Sequence, residues 1–254
     1  MRKDLIELPS KGRALIASDL HGNLTDYLKI IDLWKKTSSK KQHLIFTGDL
    51  INAMDKEDDG SIEILESVMD EMKNNQNFHP LLGNHEWANI VQVPVYKAGK
   101  NQINSFENLI KKKFREEWEE KLTQYIELFK KFPISIKTSN GVFISHAGPP
   151  KHIESLEEIE KITRKGYLPN QPLYEILWNR YGDYTQKDVE NFLHAIGCKV
   201  MIVGHTPVDG VLKYGKQIII SSSFSLGKKA YVLLDLEKEI SRTSDVMKMV
   251  RYLN

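Results

Sequence analysis

Five short stretches place a glycine or another small residue beside groups suited to hold hard cations. They are Asp19-Leu20-His21-Gly22-Asn23, Gly48-Asp49, Gly83-Asn84-His85-Glu86, Ser145-His146-Ala147-Gly148 and Gly204-His205-Thr206-Pro207. Each follows an apolar run. A lone histidine in such a place is usually a satisfied structural residue, but repetition of one pattern at five strand-like ends describes a shared polar centre. The chemistry that uses this inventory is a pair of divalent cations about 3.5–4 Å apart, which clamp a phosphoryl group and a water for in-line displacement. Asp19 and His21, two apart on an extended segment, can project onto one ion. Asp49 can bridge both ions, since a carboxylate has two oxygens and its charge offsets two cations. Asn84, His146 and His205 complete the second ion with neutral ligands. Nitrogen and oxygen donors without thiolate favour manganese, iron, zinc or cobalt over calcium, and ligand type alone does not choose among them.

These residues need elements that bring them together. The run RALIASD (13–19) reads as a strand, and Leu24, Tyr27, Leu28, Ile31 and Trp34 follow at helical spacing. QHLIFTGD (42–49) repeats the strand, Ile62, Leu65, Met69 and Met72 repeat the helix, and FHPLLGN (78–84) repeats the strand again. Strands alternating with helices imply crossover connections and parallel pairing, and polar sites in such sheets gather at the carboxyl ends of strands. Between residues 105 and 132, Phe106, Ile110, Phe114, Trp118, Leu122, Tyr125 and Phe129 recur every three or four positions, which predicts an amphipathic helix broken once rather than an aromatic cofactor box. PISIKTSNGVFISHA predicts a hairpin around Ser139-Asn140-Gly141. Helical pieces are expected over 154–165, 172–181 and 185–197, and KVMIVGH, KQIIISSS and KAYVLLDL supply further strands, so the second half is expected to form a second sheet. The C-terminal SRTSDVMKMVRYLN reads equally as a docking helix or a partner contact.

Composition narrows the function classes. With 254 residues, 41% hydrophobic and 28% charged, residues 1–254 are expected to form one domain with its own core. Thirty-six Lys and Arg against 34 Asp and Glu leave a net charge of +2, too small to argue for a nucleic-acid polymer as partner. The basic clusters KKTSSKK (35–41) and Lys111-Lys112-Lys113 read as solvated helix ends and faces. One cysteine, Cys198, forbids an internal disulfide and fits a reducing, cytoplasmic setting. Asp4, Glu7 and Pro9 interrupt what a signal peptide would keep apolar, and no run reaches transmembrane length, so no membrane association is expected.

In their order and spacing, DLHGN, GD, GNHE, SHAG and GHTP resemble the metallophosphoesterase superfamily, calcineurin-like, and within it the phosphoprotein phosphatase branch of bacterial type. The resemblance runs from about residue 13 to residue 223 and includes WEEKLTQYIELFKKFPISIKTSNGVFISHAGPP and ILWNRYGD. It implies a four-layer αββα fold, a β-sandwich with helices on both faces and the dimetal site at its top. Implied too is hydrolysis of a phosphoprotein or small phosphoester by a metal-activated water, with two divalent ions, manganese first and iron, zinc, cobalt or nickel as other occupants. Asp19, His21 and Asp49 would hold the first metal, and Asp49, Asn84, His146 and His205 the second. His85 would be the general acid, Asn84 and Arg180 would contact phosphate, and Glu86 would support rather than ligate.

The chain departs from the family after its metal-binding aspartate. The family continues Asp-x-x-Asp-Arg-Gly, whereas here the chain reads Asp49-Leu50-Ile51-Asn52-Ala53-Met54. Asn52 replaces the aspartate that orients the acid, and Ala53 replaces a clamping arginine. An asparagine supplies no charge to an imidazolium, so the acid governing turnover is expected at a lower pKa than it would have in an Asn52→Asp variant. Phosphate binding then leans on the metals and Arg180, with Arg164 and Lys56 as further candidates. Cys198 lacks the arginine six residues on that a cysteine-dependent phosphatase needs, and P-loop, Gly-x-Ser-x-Gly and Rossmann patterns are absent. His43, His79, His152 and His194 read as structural or surface residues. The leading expectation is a serine/threonine protein phosphatase. Its alternatives are a symmetrical dinucleoside tetraphosphate hydrolase such as one for diadenosine tetraphosphate, a nucleotide or RNA-end phosphatase, and, from another class, a non-catalytic metal-binding interaction scaffold.

Overall fold

Two sheets stack through an apolar interior, and alternation along each strand decides what faces that interior. The structure, a computed structural model, describes residues 4–36, 41–53, 58–97 and 99–253. In chain order the elements are β1 Leu5–Leu8, β2 Arg13–Ala17, α1 Leu24–Lys36, β3 Gln42–Phe46, α2 Ser61–Asn74, β4 Phe78–Pro80, α3 Asn84–Val91, β5 Tyr96–Lys97, β6 Lys100–Asn101 and α4 Gln102–Phe114. A 3-10 turn at Arg115–Glu117 leads into α5 Trp118–Phe129, then β7 Ser135–Thr138, β8 Val142–Ser145, α6 Leu156–Ile159, α7 Gln171–Trp178 and α8 Gln186–Ala195. The chain continues as β9 Val200–Val203, β10 Val211–Tyr214, β11 Gln217–Ile220, β12 Lys229–Asp235, α9 Thr243–Met247 and β13 Val250–Leu253.

One sheet has the order β13-β12-β2-β3-β4 and the other β1-β7-β8-β9-β11-β10. In the first, β2, β3 and β4 pair parallel, as the alternation with helices predicts. In the second, β8 pairs parallel with β9. Ala14 and Ile16 of β2 and Val200 and Ile202 of β9 join the cluster between the sheets. Leu15 and Ala17 turn the other way toward the side of α1 and α2, and Met201 and Val203 toward that of α8, where Phe143 meets Phe192 edge to face at 5.1 Å. The result is helices, sheet, sheet, helices, the four-layer αββα arrangement expected. Strands with both faces covered read as near-continuous apolar runs, as in residues 44–46 of β3, 142–144 of β8 and 200–203 of β9.

Several expectations need correction. KAYVLLDL does not join the second sheet: β12 inserts antiparallel beside β2 in the first, with Val232 opposite Ile16. The second sheet instead recruits the N-terminal β1, parallel to β7. The strand over 78–84 stops at Pro80, and Asn84 already begins α3. Within SRTSDVMKMVRYLN, residues 243–247 form α9 and 250–253 form β13, with Val246 and Met249 in the inter-sheet core. The amphipathic segment is broken once, at Arg115–Glu117, and Phe106, Ile110, Tyr125 and Phe129 are core residues. Parts of KKTSSKK (37–40) and Lys56 lie outside the described residues.

Candidate metal centre and active site

The carboxyl ends of β2, β3, β8 and β9 and the start of α3 meet at one edge of the sandwich. Asp19, His21, Asp49, Asn84, His85, His146 and His205 are all buried there. The backbone is bent sharply to aim them. Asp19, His21, Asp49, Asn52 and His205 have φ of 33°, 44°, 52°, 71° and 61°, a left-handed region that costs non-glycine residues roughly 1–2 kcal/mol each. Close approach explains two of the glycines. A Cβ on Gly83 would lie 2.3 Å from the Asp49 amide nitrogen, and one on Gly204 would lie 2.3 Å from Asp19 Oδ2.

Hydrogen bonds around the rim fix which atoms face inward. His146 Nδ1 donates to the Thr47 carbonyl at 3.0 Å, and His205 Nε2 donates to the Trp178 carbonyl at 3.1 Å, because a carbonyl can only accept. That leaves His146 Nε2 and His205 Nδ1 as lone-pair donors, 3.1 Å apart. Asn84 Oδ1 lies 2.9 Å and Asp49 Oδ2 3.5 Å from the same His146 Nε2. Burial lowers the pKa of both rings, with the neighbouring Arg180 charge contributing, so neither ring brings a second proton to separate these acceptors. Four acceptors converge with no hydrogen among them, an arrangement that fits a cation.

A second group of candidate ligands, His21, Asp49 and His85, shares Asp49 with the first group of Asp49, His146 and His205. His21 Nδ1 donates to the Ile51 carbonyl at 3.3 Å, which turns Nε2 toward Asp49 Oδ2 at 3.8 Å. Asp19 uses Oδ2 to accept from the His205 amide at 2.9 Å, while its buried Oδ1 has no hydrogen-bond partner. Burial pushes the Asp19 carboxyl up to about 7, His146 opposing and the adjacent Asp49 carboxylate adding to the rise. A buried, orphaned carboxylate oxygen beside a second carboxylate again fits a cation.

Glu86 does not point at the ligands. Its Oε2 accepts from the amides of Asp49 at 3.0 Å and Gly83 at 3.1 Å, and its Oε1 from Leu50 at 2.8 Å and Ile51 at 3.4 Å. The side chain therefore ties the Asp49 loop to the first turn of α3, as the supporting role predicts. Burial and the Asp49 charge push Glu86 up to about 8, against these amides. His85 Nδ1 meets Asn52 Nδ2 at 2.7 Å, and Asn52 Oδ1 is buried without a partner. Ser61 Oγ accepts from the Asn52 amide at 2.9 Å, and Asp59 Oδ2 from the Ala53 amide at 3.2 Å.

Arg180 stands at the exposed rim, its Nη1 donating to the His205 carbonyl at 3.2 Å. Arg164 is not brought to this centre. It lines a separate cavity formed by the 152–172 segment. His43 and His79 form a buried pair away from the ligands, and His152 and His194 are exposed. Residues invisible to motif reasoning also shape the site. Thr47 and Trp178 act through carbonyls that any residue carries, and Phe224 packs its ring against His21 at 4.8 Å from a loop about 200 positions away.

The family model described as Calcineurin-like phosphoesterase matches residues 12–209. A protein of Encephalitozoon cuniculi (strain GB-M1) named "probable serine/threonine-protein phosphatase" is 25% identical over 275 aligned residues, covering 98% of this chain and 56% of that protein. The chain thus spans little more than half the length of that relative. Among solved structures, a protein serine/threonine phosphatase from Saccharomyces cerevisiae with similarity to human phosphatase PP5 superimposes with a TM-score of 0.75 at 19% identity, over 99% of this chain and 83% of that one. A cold-active protein-tyrosine phosphatase of a psychrophile Shewanella sp. gives 0.67 at 16% identity, over 93% and 78%. At such identities these two superpositions speak to the fold alone.

Proposed function

The chain belongs to the calcineurin-like phosphoesterase family, and on that basis we propose that it is a dimetal phosphatase that hydrolyses phosphoserine and phosphothreonine in proteins. The observation that carries this reading is the meeting of His146 Nε2, His205 Nδ1, Asn84 Oδ1 and Asp49 Oδ2 with no hydrogen between them, next to the orphaned Asp19 Oδ1. The name of the Encephalitozoon cuniculi relative supports the choice of phosphoprotein over other phosphoesters. Manganese is the proposed occupant, and the cytoplasmic setting expected from the single cysteine belongs to the same proposal.

Asp19, His21 and Asp49 would hold one cation, and Asp49, Asn84, His146 and His205 the other. When bound, two such ions supply charge neutralisation at the phosphoryl oxygens and a water acidic enough to attack phosphorus. The rest is the work of the chain. Arg180 binds phosphoryl oxygens from the rim, where Ala53 supplies no guanidinium. His85 delivers a proton from Nε2 to the leaving alkoxide, a step worth about 10²–10⁴ in rate. For the ring to act as a cationic acid, Nδ1 must keep its own proton, and the partnerless Asn52 Oδ1 becomes its acceptor when the amide turns over.

The deciding experiment reconstitutes the protein with manganese and compares phosphate release from a phosphoserine peptide with cleavage of diadenosine tetraphosphate. The expected result is metal-dependent preference for the peptide, reduced about 10²-fold or more in His85→Asn. Preference for the dinucleotide would replace the reading with a symmetrical dinucleoside tetraphosphate hydrolase. Stoichiometric metal binding without turnover of either would leave the interaction scaffold.

A further inference from the structure

Away from the metal centre, the 152–172 segment encloses a hollow of about 660 Å³. Its wall includes Ile153, Ile162 and Leu168, and its rim carries Lys161, Arg164 and Lys165. Leu168 is 75% exposed, although it is a large aliphatic side chain. Arg164 and Lys165 are exposed, and among the described residues neither has an ion pair with a carboxylate. Lys161 pairs with Glu157 at 3.3 Å on the solvent side. The acid that lines the hollow, Glu158, accepts from the Glu154 amide at 3.0 Å and so is turned toward its own loop.

The loop that presents Leu168 is anchored. Trp87 Nε1 donates to the Tyr167 carbonyl at 2.9 Å, and the Tyr167 hydroxyl donates to the Lys130 carbonyl at 2.7 Å. An apolar side chain held outward on a fixed loop, beside two cations that have no ion-pair partner among the described residues, is complementary to a segment that is apolar at one position and acidic around it. The hollow also has a fixed relation to the catalytic edge. Asn170, whose side chain caps α7 by accepting from the Leu173 amide, lies in the hollow's wall, and Trp178 at the other end of α7 holds His205. Eight helical residues span about 12 Å, a distance that an extended peptide covers in roughly four residues.

We propose that this hollow docks an acidic segment bearing one large apolar side chain, located about four residues from the phosphorylated residue of a protein substrate. Calling the occupant a substrate rests on the phosphatase reading; the docking itself does not. Arg164 then acts in substrate choice and not as a clamp on the phosphoryl group.

The test uses fluorescence anisotropy with the full chain and two unphosphorylated fluorescein-labelled peptides, one of Asp and Glu around a Leu, the other with Lys in place of every acid. The acidic peptide should bind, more weakly as salt rises, and the lysine peptide should not. Lys165→Glu and Leu168→Asp should each weaken binding roughly five- to tenfold, with circular dichroism unchanged because both positions are exposed. Turnover of a small aryl phosphate should be unchanged in both variants, while KM rises for a phosphopeptide carrying the acidic segment. In Arg164→Glu, loss of acidic-peptide binding with aryl phosphate turnover retained supports docking; loss of aryl phosphate turnover would return Arg164 to the clamp and overturn it. Equal binding of both peptides, or undiminished binding in Lys165→Glu/Leu168→Asp, also overturns it. A wild-type chain that binds the acidic peptide but hydrolyses nothing would support docking while removing the phosphatase reading.

Discussion

Asn52 Nδ2 and His85 Nδ1 meet at 2.7 Å, and in the proposed mechanism an amide at 52, in place of a carboxylate, sets the character of the acid. A carboxylate at 52 would accept from Nδ1 and stabilise the imidazolium by Coulomb attraction in a buried setting, whereas an amide offers only a dipole. In Asn52→Asp, the alkaline limb of the kcat profile should therefore move to higher pH by about one unit or more. A profile that superimposes on wild type would show that His85 does not govern that limb. The motif around Asp49 marked Asn52 as unusual in the sequence, but its unpaired oxygen became visible only once the surrounding atoms were known.

Among the elements, β3 and β4 carry a feature without catalytic meaning. His43 Nδ1 lies 3.0 Å from His79 Nε2, and the rings stack with centroids 5.2 Å apart, on the strand faces shared with Ile45 and Leu81. Burial lowers the pKa of His79 to about 4, with His43 adding to the effect, and burial lowers His43 as well. A base whose folded pKa lies below its unfolded value contributes stability fully above about pH 6.5 and loses it as pH falls toward 4, since only the unfolded chain gains the proton there. For His79 the loss amounts to about 3 kcal/mol. Urea midpoints at pH 7 and pH 4.5 should differ less in His79→Gln than in wild type. An unchanged difference would assign acid sensitivity elsewhere. Strand and helix periodicity made most elements legible in the sequence, because a covered strand is apolar and a surface helix is striped. The start of α3 was not legible: Gly83 has no side-chain cap to announce a helix, and the four amides that Glu86 supports could not be named until its partners were seen.

Across the molecule as a unit, the C-terminal segment closes the interior. β13 pairs with β12, and Val246 and Met249 fill the inter-sheet core against strands from both sheets. Removing residues 242–254 should expose the edge of β12 and forfeit burial worth roughly 1.5–3 kcal/mol for each of these two side chains. The expected outcome is a fall of roughly 10 °C or more in Tm, as one transition that takes the metal centre with it, if residues 1–254 act as one domain. Separate transitions in a calorimetric scan of the intact chain would refute the single domain.

The identity and order of the candidate ligands, the parallel β2-β3-β4 unit and the layered class could all be read from the chain before it was folded. Those features are written in local periodicity and in side-chain chemistry at the ends of apolar runs. Folding was needed to show that β12 belongs to the first sheet, that Arg164 lines a cavity apart from the candidate metal ligands, and which nitrogens of His146 and His205 face inward. Each of these depends on a partner distant in the chain. An alternating strand fits any sheet with one matching face, an arginine's surroundings depend on where its loop is anchored, and a histidine's tautomer is set by whichever carbonyl folding places beside it.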